Sequence, residues 1–117
     1  KILPWIWLLL CTILFLLPGS SFSNSFSFPG LDKVVHFSLF FVFTLLFLSA
    51  YAPVALFTYI WVTISILSYI VAIEYIQKTY IPGRGFEMED ILANLTGIIF
   101  ASILFFKISK KAKVKKQ

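Results

Sequence analysis

At 117 residues the chain has room for one domain, and 60% of its residues are hydrophobic against only 13% charged. A soluble domain carries roughly a quarter charged residues, so that class is excluded and a bilayer is the relevant solvent. The net charge of +5 is no nucleic-acid signature, because six of the ten basic residues are Lys107, Lys110, Lys111, Lys113, Lys115 and Lys116, directly after an apolar run and without interleaved aromatics; that pattern suits a juxtamembrane anchor on anionic lipid.

In chain order, helices are predicted over about residues 2–17, 34–52, 54–73 and 91–108, followed by a basic tail at 109–117. A membrane-spanning helix needs roughly 17–25 residues, so the last three qualify and the first is slightly short. Pro4 falls in the first turn of the first helix, where a missing N–H costs little. Cys11 lies within that apolar run and reads as a small hydrophobe. Lys1, the apolar run and Ser21-Phe22-Ser23 also imitate a signal peptide; we expect the segment to be retained as a helix. Pro53 separates the second and third helices and leaves space only for a tight hairpin. The expected fold is an all-α membrane protein, a single four-transmembrane-helix bundle over 1–117. The positive-inside bias places the lysine tail in the cytoplasm, and four crossings return Lys1 to the same side. The segments 18–31 and 74–89 are then the outward-facing loops.

The remaining polar chemistry gathers at that outer face. All five acidic residues (Asp32, Glu74, Glu87, Glu89, Asp90), the only His (His36) and the only Arg (Arg84) fall at the outer ends of the second, third and fourth helices or between them, together with Lys33 and Lys78. Charge at membrane depth is costly, so such residues pair with one another or face a wet cavity. Lys33 and His36 share a face at i, i+3, as do Glu74 and Gln77. Asp90, Asn94, Gly97 and Ala101 run down one side of the fourth helix, and Gly97-x-x-x-Ala101 is a small-residue pair that admits a close neighbour.

These residues carry a resemblance. Asp32-Lys33-Val34-Val35-His36-Phe37, then Glu74-Tyr75-Ile76-Gln77, then Pro82-Gly83-Arg84, then Asp90-x-x-x-Asn94-x-x-Gly97 together resemble the pattern of the VanZ-like membrane protein family over residues 32 to about 101. The resemblance implies a compact helical membrane protein in a bacterial cytoplasmic membrane, in a family named for a member associated with low-level teicoplanin resistance. It supplies no reaction.

Two readings stay open at most positions. His36 is either a general acid–base, since imidazole titrates near neutrality, or a hydrogen-bonded tie between helices. Arg84, between Gly83 and Gly85, suits recognition of phosphate or carboxylate, or it neutralises neighbouring acids. Asp90 reads first as the N-cap or dipole partner of the fourth helix, and as a catalytic group second. Asn94 is expected in an inter-helix hydrogen bond, with ligand contact as the alternative. Glu74 is the best carboxylate for a base or cation ligand, whereas Glu87 and Glu89 read as solvated loop charges. Gln77 and Lys78 are placed to touch a headgroup, and snorkelling accounts for Lys78 equally well.

One His with one Cys excludes the common Cys/His zinc cages. No nucleotide loop, nucleophile elbow or metal-binding helix motif is present, so no cofactor and no metal are predicted. A divalent cation between Glu74 and Asp90 is chemically compatible, but no spacing demands one. The function expected is action on a lipid-linked or anionic cell-envelope substrate. His36, Glu74 and Asp90 would carry the chemistry, and Lys33, Gln77, Arg84 and Asn94 would hold the ligand. The alternatives are non-catalytic binding of a lipid, cell-wall precursor or glycopeptide antibiotic, and a structural membrane subunit. Expected partners are membrane lipids, a lipid-linked precursor and no nucleic acid. A homodimer is compatible with so thin a bundle.

Overall fold

The computed structural model describes residues 1–18 and 30–116 and contains four helices in them: α1 (Leu3–Leu16), α2 (Leu31–Tyr51), α3 (Leu56–Tyr80) and α4 (Met88–Lys115). No strand occurs among the described residues. With 21, 25 and 28 residues, α2, α3 and α4 are long and apolar enough to cross a membrane. At 14 residues, α1 is shorter than that; at a rise of ~1.5 Å per residue it is about 21 Å long against a hydrocarbon layer of about 30 Å. Ser21-Phe22-Ser23 and nearly all of the expected first loop lie outside the described residues.

Four helix ends differ clearly from the hydropathy-based expectation. Helix α2 begins at Leu31 rather than 34, α3 continues to Tyr80 rather than 73, and α4 runs from Met88 to Lys115 rather than 91–108. Apolar runs stop at the first charge, but helices need not, since Glu, Gln and Lys are among the better helix formers. Asp32, Lys33, Glu74 and Gln77 therefore lie within the helices, beyond the ends of the apolar runs, and most of the lysine segment is the last turns of α4. The α3–α4 connection shrinks to 81–87.

Contacts between helices give their directions. The Tyr51 hydroxyl, at the end of α2, donates to the Lys1 carbonyl at 2.8 Å, and the Trp5 indole N–H donates to that hydroxyl at 2.8 Å. Halfway along, the Trp7 indole donates to the Leu39 carbonyl at 2.9 Å, so α1 runs antiparallel to α2. Thr12 and Tyr69 share a 2.6 Å hydrogen bond between α1 and α3, and Tyr59 and Ser102 share another of 2.6 Å between α3 and α4. Phe40, Phe43, Phe47, Leu48, Ile66, Ile70 and Ile98 fill the middle.

The closest pairing is between α2 and α4, which run parallel. A Cβ on Gly97 would strike the Phe37 carbonyl oxygen and lie 3.1 Å from the Phe41 backbone nitrogen. Only glycine lets the two backbones approach this closely. One turn on, Ala101 is fully buried, so the small-residue stripe faces α2. The outer surface is apolar, with Leu9, Leu10, Ile64, Phe100, Ile103 and Phe106 all exposed, a pattern costly in water and ordinary in lipid.

Candidate functional site

The start of α2, the last two turns of α3 and the start of α4 meet at one end of the bundle, and His36 is their meeting point. Its ring is 2% exposed, as are Gln77 at 2%, Glu74 at 1% and Asn94 at 1%. Nδ1 lies 3.2 Å from Asn94 Oδ1 and 3.9 Å from Glu74 Oε1. Nε2 lies 3.6 Å from Asp90 Oδ2 and 3.8 Å from Asp32 Oδ1. Phe15 from α1 stacks on the imidazole with centroids 4.9 Å apart and planes 20° from parallel. The Gln77 side-chain amide donates to the Phe15 carbonyl at 2.7 Å. That bond ties the end of α1 to α3 and holds the phenyl ring in place.

Lys33 neutralises the outer layer. Its ammonium meets Glu87, lies 2.5 Å from Asp90 Oδ1 and lies 3.4 Å from Asp32 Oδ2. Asp32 and Asp90 thus each offer one oxygen to Lys33 and one to His36. The Asp90 contacts correct the capping expectation: the N-cap position of α4 is Glu87, no side chain caps it, and Asp90 sits within the first turn. Its side chain is directed across the bundle because i, i+4 spacing sets it above Asn94 on the face packed against α2. A favourable place near the positive end of the α4 dipole is kept.

A turn presents Arg84. The Arg84 N–H donates to the Ile81 carbonyl at 3.2 Å, with Pro82 at the second position and Gly83 at φ 75° in the third. Proline there and glycine at positive φ are what a type II turn requires. Beside this turn opens a cleft of about 400 Å³. Its lining combines the apolar Leu14, Phe15, Leu31 and Val35 with Asp32, His36, Gln77, Arg84, Glu87 and Asp90.

Of the residues expected to form a site, His36, Asp90, Gln77 and Arg84 line this cleft. Asn94 and Glu74 contact the His36 ring without lining the cleft. Glu74 Oε2 is buried and has no hydrogen-bond partner among the described residues. Lys33 joins the group through its carboxylates rather than through the cleft wall. Glu89 and Lys78 are exposed and make no ion pair among the described residues.

Three participants have no site role assigned from the sequence. Asp32 belongs to the acidic group and heads the 32–37 motif, and its i, i+4 spacing from His36 could have assigned it one. Glu87, expected as a solvated loop charge, is half-exposed yet paired with Lys33. Phe15 had no local signal at all, since its partners are 21 and 62 residues away. The donor atoms of Asp32, His36 and Asp90 all fall within 4.8 Å of one another; the sequence predicts no metal and makes only Glu74 with Asp90 compatible with a cation.

Chemically, the arrangement holds an imidazole between carboxylates in the lining of a part-apolar cleft that also carries a guanidinium. Set against protein-family models, curated proteins and solved structures, the chain matches none.

Proposed function

We propose that the cleft receives the anionic headgroup of an amphiphilic cell-envelope substrate, and that His36 moves a proton while a bond of that lipid-linked molecule is hydrolysed or transferred. The observation that carries this is the mixed lining of the cleft, in which the apolar Leu14, Phe15, Leu31 and Val35 occur together with Arg84, His36 and Asp90. An amphiphile combines the same two chemistries in its chain and headgroup. Arg84 is the anion contact, because a guanidinium can meet two phosphate oxygens at once. Lys33 is engaged by three carboxylates and keeps them in place. Asn94 orients the imidazole, and Glu74 or Asp90 stabilises its protonated form.

The proposal includes a topology: four crossings, both termini in the cytoplasm and the cleft at the outer leaflet of a bacterial cytoplasmic membrane. Support comes from α1, which runs from Lys1 beside Tyr51 to Phe15 beside His36, so it accompanies α2 over the whole distance between those levels. The lysine-rich end of α4 lies opposite the cluster, as the positive-inside bias requires. Membership of the VanZ-like family, with its link to glycopeptide resistance, belongs to the same proposal and rests on the motifs at 32–37, 74–77, 82–84 and 90–97.

Native mass spectra of the protein released from its own membrane test the headgroup site. A defined anionic lipid is expected on the wild type and absent from Arg84→Ala; the same lipid mixture on both would sink the proposal. His36→Gln then separates chemistry from holding. Loss of turnover by about 10²–10⁴-fold with the lipid retained is the signature of a general acid–base.

One observation favours the non-catalytic alternative: His36 is already stacked on Phe15 and hydrogen-bonded to Asn94, as a purely structural histidine would be. Under that reading His36→Gln is silent in every turnover assay and Arg84→Ala alone abolishes binding.

A further inference from the structure

We propose that Asp32, His36 and Asp90 bind a divalent first-row transition ion in the cleft they line. The ion needs neither Arg84 nor a lipid, so the inference stands apart from the headgroup site; with Nε2 as a ligand, it replaces the proton-transfer role of His36.

The tautomer of His36 is the starting point. Both atoms facing Nδ1, Asn94 Oδ1 at 3.2 Å and Glu74 Oε1 at 3.9 Å, are oxygens. An amide oxygen can only accept, so Nδ1 carries the proton. A neutral imidazole then has its lone pair on Nε2. That nitrogen belongs to a side chain 98% buried (2% exposed), and among the described residues it makes no hydrogen bond. It points instead between two carboxylate oxygens, at 3.6 and 3.8 Å. Lys33 neutralises these carboxylates from their other oxygens, and a cation beside Nε2 would do the same for the oxygens turned toward the ring.

Geometry and charge agree with an ion. Ligands bound at about 2.1 Å around one metal stand about 3–3.6 Å apart, slightly closer than these atoms, which side-chain rotation can draw together. Asp32 and Asp90 face Nε2, and the one ammonium that meets them, Lys33, is shared with Glu87 as well, so the carboxylates here outnumber the cation that pairs with them. An imidazole nitrogen among the ligands selects a transition ion over Mg²⁺ or Ca²⁺. The Nδ1–H bond to Asn94 is the outer contact that fixes ring orientation in many histidine–metal sites. The remaining positions on the ion face the cleft, open to water or an anionic oxygen.

The test is Zn²⁺ titration of the full chain in detergent, freed of any affinity tag and stripped with a chelator, read by calorimetry and by metal content per chain. One ion per chain is expected. Asp32→Asn, at a half-exposed position that leaves the fold intact, should weaken binding about tenfold or more. His36→Gln should abolish it, and Glu89→Gln, outside the group, should change nothing. The inference is overturned if no ion is retained, or if Asp32→Asn and Glu89→Gln behave alike. It is equally overturned if ¹⁵N spectra of the ion-free and Zn²⁺-supplemented protein both show a doubly protonated His36, because a proton then occupies the place assigned to the ion. Since no lipid enters these measurements, their failure would leave the Arg84 lipid test untouched.

Discussion

The two ends of this bundle are both charged and could hardly treat charge more differently. At one end His36, Glu74, Asp90 and Asn94 are turned inward and buried against one another. At the other, Lys107, Lys110, Lys111, Lys113, Lys115 and Lys116 are all exposed. Solvated lysines cost nothing to fold and serve to orient and anchor a helix. Buried ionic groups are another matter: their desolvation often exceeds what pairing returns, and apolar replacements of the same shape are frequently as stable. A chain this small would be simpler to fold with an apolar plug where the cluster stands. Under the proposed function, the buried end is kept for its cleft and the exposed end for the membrane surface.

The sharpest way to break this contrast is at Gly97, where the α2 and α4 backbones touch. Gly97→Ala places a methyl group against the Phe37 carbonyl, and neither backbone can rotate away as a side chain would. The expected loss is at or above the upper end of the ~1–3 kcal/mol typical of overpacking. It should be visible as a lower melting temperature in detergent, together with loss of the lipid or Zn²⁺ bound at the cluster. An unchanged melting temperature would show that α2 and α4 are not held at this distance.

A smaller effect is expected one turn closer to the cluster. Asn94→Leu fits the site sterically but removes the acceptor of His36 Nδ1, and an unsatisfied buried donor costs about 1–3 kcal/mol. The comparison at mid-bundle is Ser102→Ala, which breaks the bond to Tyr59 at a cost of about 1 kcal/mol. Both should lower the melting temperature, yet only Asn94→Leu should also disturb the histidine, seen as a changed ¹⁵N signature of the ring. If the two variants moved that signature equally, Asn94 would not be what orients His36.

Much of this contrast was legible before any coordinates. Hydropathy marked the three long helices, and the lysine run and the acidic group separated by composition. The stripe Asp90, Asn94, Gly97, Ala101 identified the inward face of α4 because helical periodicity is a local property. What stayed hidden depends on partners distant in the chain. Nothing near Phe15 announces that it stacks on His36, and nothing near Glu87 announces Lys33 as its partner. Asp90 was misassigned as a cap for the same reason. Capping is the local explanation for an acid at a helix start, while its actual contacts, Lys33 and His36, come from α2. Helix ends were underestimated because hydropathy follows side-chain polarity and the backbone follows helix propensity.

The smallest expected change in stability is at the lysine end, and it sharpens the contrast by being small. Replacing Lys110, Lys111 and Lys113 with Gln removes three exposed charges from helical positions where Gln is about as good a helix former as Lys. Each exposed substitution should alter stability by no more than about 0.5 kcal/mol, well below Asn94→Leu. Orientation is where the change should show. The positive-inside bias is weakened, so a fraction of molecules should insert with the cluster facing the cytoplasm, measured by labelling a cysteine placed at Gln117 from either side of sealed vesicles. Uniform orientation with an intact fold would shift the topological signal to the other lysines, Lys107, Lys115 and Lys116. A melting temperature lowered as far as by Asn94→Leu would mean that the lysines are bound into the fold after all, and the division between a buried end and a solvated one would not hold.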